Sequence, residues 1–134
     1  MRRLSLLAFS ALCSSAALAA PETIRASQRI EAELTTEDSP RDDGGVSRDY
    51  RIQVEAGSFL IVSVSSEDFD GVLSVFNPDR TKAGENDDRS DGNLNPLVAV
   101  EAVESGLYTI RVSSLGNGES GLGKFSLRSV TAKE

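Results

Sequence analysis

The chain contains no histidine and no tryptophan, and its single cysteine, Cys13, lies in an apolar leader. Without histidine there is no Ser–His or Cys–His pair, and the most common general base is missing. Beyond the leader there is neither thiol nor imidazole, which removes the usual ligands of zinc and other soft metals and any disulfide. Aromatics make up only 5% of residues. No apolar run after the leader approaches the roughly 20 residues of a spanning helix, and no stretch keeps a helical period.

The leader has its own pattern. Arg2 and Arg3 form a positive start, residues 4–12 are apolar, and Ala17-Leu18-Ala19 offers small residues before Ala20-Pro21. This reads as a cleavable signal peptide over residues 1–19, followed by one domain over 20–134. Cys13 raises a lipoprotein alternative, but Ser10-Ala11-Leu12 before it lacks the matching pattern. Export without disulfides suits a bacterial periplasm or medium. Loss of Arg2 and Arg3 takes the formal charge from −7 to −9. That acidity argues against nucleic acid and anionic lipid partners, and favours cations, basic surfaces or plain solubility. A domain of this size buries roughly 65% of its unfolded surface, enough for one unstapled core.

What is present is strand composition cut by turns. Residues 27–34 alternate loosely, with Ile30, Ala32 and Leu34 against Arg29, Glu31 and Glu33. Tyr50, Ile52 and Val54 alternate with Arg51, Gln53 and Glu55 before Ala56-Gly57 turns the chain. Residues 59–64 are nearly continuously apolar and read as a central strand, followed by strands at 72–76 and 97–103. Tyr108, Ile110 and Val112 share one face of the next strand, and residues 125–130 supply the last. About seven to eight short strands with regular turns predict an all-β, antiparallel, jelly-roll-like sandwich. Tyr50, Ile52, Leu60, Val62, Leu73, Val75, Tyr108, Ile110, Val112 and Leu127 are the expected core. Phe59, Phe69, Phe76 and Phe125 read as core rather than site. Gly116-Asn117-Gly118-Glu119-Ser120-Gly121 spells G-x-G-x-x-G, but a short strand rather than a helix follows, so it reads as a flexible hairpin loop and not a nucleotide site.

Carboxylates crowd both ends of one predicted strand. Asp68-Phe69-Asp70-Gly71 precedes residues 72–76, and Glu85-Asn86-Asp87-Asp88-Arg89-Ser90-Asp91-Gly92 forms an acidic loop after them. Like charges held close need N–H donors, arginines or a cation to offset their repulsion.

In order, Asp49-Tyr50, Val54-Glu55-Ala56-Gly57, Asp68-Phe69-Asp70, Asn86-Asp87-Asp88, Gly106-Leu107-Tyr108-Thr109-Ile110-Arg111-Val112 and Gly123-Lys124-Phe125-Ser126-Leu127 carry a resemblance. The chain resembles the bacterial pre-peptidase C-terminal domain family, related to collagenase collagen-binding domains, over roughly residues 29–130. Two departures stand out: no catalytic domain is attached, and Phe125 replaces the family's usual tyrosine.

The resemblance implies a non-catalytic accessory or binding module acting through a partner protein or an extracellular polymer, with calcium in some relatives. Carried over by position, Asp68, Asp70, Asp87 and Asp88 are candidate calcium ligands, with Asn86 as a neutral donor and Glu31 and Glu33 as weaker candidates. Calcium takes about six to eight hard oxygens in flexible geometry. No EF-hand is spelled, because the third position from Asp87 is Arg89 and the twelfth is Val98. The competing account makes Asp70 and Asp88 acceptors of backbone N–H groups that brace corner and loop. Two other functions remain as alternatives. One is a hydrolase using Asp68 and Asp70 as a carboxylate pair, although no aspartyl-protease repeat surrounds them. The other is a sugar-binding module, which both tyrosines oppose by occupying inward strand positions.

Overall fold

The computed structural model describes residues 20–116 and 118–133. The expected signal peptide lies outside them. Ten strands form: β1 (Glu22–Ile24), β2 (Arg29–Leu34), β3 (Ser39–Pro40), β4 (Val46–Val54), β5 (Ser58–Ser65), β6 (Gly71–Phe76), β7 (Lys82–Asn86), β8 (Leu97–Glu101), β9 (Gly106–Ser114) and β10 (Gly123–Lys133). One sheet runs β1-β4-β9-β6-β7 with β3 paired to β4; the other runs β2-β10-β5-β8. The expected all-β antiparallel sandwich forms, every pairing being antiparallel except that of the short β1 with β4, which is parallel.

Period-two patterning fixes the faces. Tyr50, Ile52 and Val54 of β4, Leu73 and Val75 of β6, and Tyr108, Ile110 and Val112 of β9 turn inward. Leu60, Val62 and Val64 of β5, Val98 and Val100 of β8, and Phe125 and Leu127 of β10 meet them from the second sheet. Every residue of the expected core is buried. The run at 59–64, continuous in the sequence, alternates in space: Phe59 and Ile61 are half-buried on the opposite face. Phe69 and Phe125 are core, edge to face with ring centroids 6.2 Å apart. Phe59 and Phe76 are not, because strand parity points both outward.

Only β3–β4 and β6–β7 are hairpins; the remaining connections pass between sheets. The glycine-rich segment is therefore a crossover from β9 to β10 and not a hairpin loop, and residues 118–121 make one turn of 3-10 helix within it. β7 is absent from the sequence reading, since Lys82-Ala83-Gly84-Glu85-Asn86 lacks strand composition. It forms because β6 pairs with it and because Gly84 lets it approach the second sheet. A Cβ at 84 would lie 2.9 Å from Val98 and 3.0 Å from Val100.

Register places four crossovers at one end of the sandwich: residues 35–45, which include β3, and residues 66–70, 87–96 and 115–122. All four carry carboxylates. Arg48 ties the two sheets together at this end. Its guanidinium forks onto Asp38 at 2.7 and 2.8 Å and donates to the Glu33 carbonyl of β2 at 2.7 Å.

Candidate functional site

The acidic end is built around Ser66. Its hydroxyl donates to the Lys124 carbonyl at 2.7 Å and accepts the N–H groups of Asp68 and Phe69 at 3.1 and 3.3 Å. This turns the chain from β5 to β6 and presses Phe69 into the core. Asp68 Oδ2 accepts the Lys124 N–H at 2.7 Å, so this expected metal ligand staples the corner to β10. Asn86 lies in β7, and its Oδ1 accepts the Leu97 N–H at 3.3 Å. Asp87 Oδ1 accepts the Asp88 N–H at 2.9 Å.

Asp70 differs from these. Its Oδ1 is buried without a hydrogen-bond partner among the described residues. Burial first, then the charges of Asp88 and Asp87, push its pKa above the ordinary aspartate value. The bracing expected of Asp70 and Asp88 thus falls to Asp68 and Asp87 instead. Asp87 and Asp88 act electrostatically on Asp70, yet among the described residues no group of three carboxylates gathers closely enough to hold a metal. Glu31 and Glu33 lie apart on β2: Glu31 pairs with Arg29 at 2.7 Å, and both face β10 across the ladder.

A second region, unforeseen from the sequence, lies on the outer face of the six-stranded sheet. Register stacks the outward residues of β4, β9, β6 and β7 in rows across the strands: Ser47, Ser113 and Val72; then Asp49, Arg111, Ser74 and Glu85; then Arg51, Thr109, Phe76 and Lys82. Three adjoining hollows open on this face, and Arg111 lines each of them. The first, about 480 Å³, has Ser47, Ser74 and Ser113 in its floor. The second, about 450 Å³, is walled by Arg41 and Asp43. The third, about 390 Å³, lies between Arg51, Arg80 and Arg111.

Arg111 is rigidly set. It makes a two-pronged bond to Asp49 at 2.8 and 3.0 Å, and its guanidinium carbon lies 4.9 Å from the Phe76 ring centroid. Such a fork onto a carboxylate fixes orientation as well as charge. Glu85 is held between Lys82 and Ser74, each at 2.7 Å, and the lysine first, then the serine, lowers its pKa. The side chains of Arg51 and Arg80 make no ion pair or hydrogen bond among the described residues. Cations outnumber carboxylates most strongly in the third hollow, where Arg51, Arg80 and Arg111 meet Asp49, on a chain whose net charge is −7. One signal was available: Arg51 occupies an outward position in a strand whose parity is legible, but nothing linear joins it to Arg80 and Arg111.

Against known proteins, residues 46–114, just over half of the chain, match the family model described as bacterial pre-peptidase C-terminal domain. No curated protein sequence matches. Among solved structures, the pre-peptidase C-terminal domain of a Bacillus anthracis collagenase shares the fold at 16% identity and a TM-score of 0.56, covering 82% of this chain and 94% of that one. PliG of Aeromonas hydrophila, a periplasmic inhibitor of g-type lysozyme, superposes at 18% identity and a TM-score of 0.54, covering 84% of this chain and all of that one. Its Salmonella Typhimurium counterpart does so at 16% identity and 0.51 over the same shares. These three are alike in fold alone. By the family match, this chain belongs to the bacterial pre-peptidase C-terminal domain family.

Proposed function

We propose that this chain is a non-catalytic, exported binding module and that the outer face of the six-stranded sheet around Arg111 carries its ligand. The observation behind this is the three hollows that share one rigid arginine. Family membership supports an accessory role. The PliG neighbours, named as lysozyme inhibitors, lend the fold a precedent for acting on a partner protein. The ligand is then a partner protein or an extracellular polymer, met in the periplasm or the medium. The test is retention of components of the source cell's exported fraction on the immobilised domain. Wild type and Ser63→Arg, altered on the opposite sheet, should retain the same component; Thr109→Glu, which fills the third hollow with a carboxylate, should not. Equal retention by all three would move the site elsewhere.

A second reading concerns calcium, favoured by the buried, unpartnered Asp70 Oδ1. The oxygens of Asp70, Asp87 and Asp88 are of the hard type this cation takes, and these residues, which do not gather closely enough here, would have to draw together to hold it. Asp68 and Asn86 already accept backbone N–H groups. Bound calcium would offset the repulsion within this group. At 100-fold over its dissociation constant it would stabilise the fold by about 2.7 kcal/mol. A flat calorimetric titration of desalted protein would remove this reading.

A further inference from the structure

Among the three hollows, the one at the β6–β7 turn is singled out by its charge. Arg51, Arg80 and Arg111 line it together with Asp49, Phe76 and Thr109. Asp49 neutralises Arg111, whereas Arg51 and Arg80 have no anionic partner among the described residues, so the hollow carries a surplus of positive charge. These arginines come from β4, from the turn after β6 and from β9, and the fold brings them together on a chain that is acidic overall.

The turn itself adds a second, independent observation. Arg80 has φ of 72°, in the left-handed region that glycine and asparagine normally fill. The turn around it is fully determined. Asn77 N–H donates to the Thr81 carbonyl at 2.8 Å, Arg80 N–H to the Asn77 carbonyl at 2.9 Å, and Thr81 N–H to Asp79 Oδ1 at 3.0 Å. A long cationic side chain is therefore carried at a position where glycine would be unstrained. Strain of this kind, where surroundings enforce it, accompanies binding sites.

We infer that this hollow binds the carboxylate groups of an acidic extracellular polysaccharide, with Arg51 and Arg80 as the recognising cations and Arg111, locked by Asp49, as a fixed third. The inference rests on the binding-module reading and names its ligand class. Guanidinium groups match planar carboxylates through paired N–H donors. The rest of the face favours a sugar chain over an acidic peptide. β9 lies between β4 and β6, so its backbone groups are consumed by two ladders and offer no edge to an added strand. What remains on the surface is the Thr109 hydroxyl and the free lone pairs of Asp49, which donate to and accept from hydroxyl groups; Ser74 and Ser113 are buried beneath them.

The probes are polygalacturonate, neutral dextran and poly-glutamate, each titrated calorimetrically into the full domain at low and moderate salt. Polygalacturonate should bind, weaken as salt rises, and outcompete both controls. Arg51→Gln and Arg80→Gly should each reduce its affinity about tenfold. Arg80→Gly relieves the backbone strain, so its melting temperature should hold or rise while binding falls. That combination separates lost recognition from lost fold. Equal affinity for poly-glutamate, or undiminished binding by both variants, would overturn the inference. If none of the three polymers binds but wild type still captures an exported component, the ligand class fails and the module reading stands. If wild type also captures nothing, both fail.

Discussion

Asp68 lies directly over Gly123, and its side chain occupies the space that a Cβ at position 123 would need. Gly123 has φ of 142°, so an L side chain there would be strained as well as obstructed. The same aspartate accepts the neighbouring Lys124 N–H, and together these contacts join the β5–β6 corner to the start of β10. Gly123→Ala should therefore destabilise the fold by about 1–3 kcal/mol. Asp68→Ala should cost about 1 kcal/mol, the same with calcium as with chelator. Urea denaturation under both conditions measures each. A calcium-dependent loss at Asp68 would return that residue to the metal-ligand set.

The two buried tyrosines should answer differently to removal of their hydroxyls. Tyr108 donates to the Glu104 carbonyl at 2.8 Å, pinning the approach to β9. Tyr50 Oη is buried without a partner among the described residues; burial raises its pKa, against the opposing effect of the nearby Arg48. Tyr108→Phe should cost about 1 kcal/mol, and Tyr50→Phe should be neutral or stabilising. Paired denaturation curves decide the point, and equal losses would contradict it.

Core truncation provides the scale for these effects. Ile110 is fully buried in β9, between Tyr50 of β4 and Val75 of β6 in register. Ile110→Ala should cost about 3 kcal/mol by lost transfer energy and residual cavity. A loss under about 1 kcal/mol would mean that the sheets close on the vacancy.

Asp70 sets a pH dependence of unusual sign. Its folded pKa is raised, so the folded state holds this proton more tightly than the unfolded chain. The contribution of Asp70 is then most favourable below the ordinary value of 3.8, and is lost as pH rises from there through the folded value. Asp70→Asn should raise the melting temperature at pH 7 in the absence of metal, with the gain fading as pH approaches 3.8. Melting curves across that range check it, and destabilisation at pH 7 in chelator would contradict it.

Strand parity carried most of the fold into the sequence. Tyr50-Arg51-Ile52-Gln53-Val54 and Tyr108-Thr109-Ile110-Arg111-Val112 show which face is buried, because a half-buried strand must alternate. β1, β3 and β7 were not legible, being short or polar and stabilised by partners distant in sequence. Phe76 is favoured for the core by aromatic composition, and parity overrules this. Its position after Leu73 and Val75 puts it on the outer face, beneath Arg111. The acidic residues were visible as local runs, but the bracing roles of Asp68 and of Asn86 beside them depend on Lys124 and Leu97, which meet them only in the fold. The arginine hollow was hidden for the same reason. Arg51, Arg80 and Arg111 each look ordinary in sequence, and the net acidity pointed toward cationic partners.

The most direct test of the outer face as the ligand surface is backbone amide NMR of the domain titrated with polygalacturonate oligomers. Shifts should concentrate at Arg51, Arg80, Thr109 and Arg111, with the acidic loops at 66–70 and 87–91 and the exposed face of β2 unchanged. Shifts confined to those loops or to the four-stranded sheet, with the amides of β4 and β9 silent, would contradict the account.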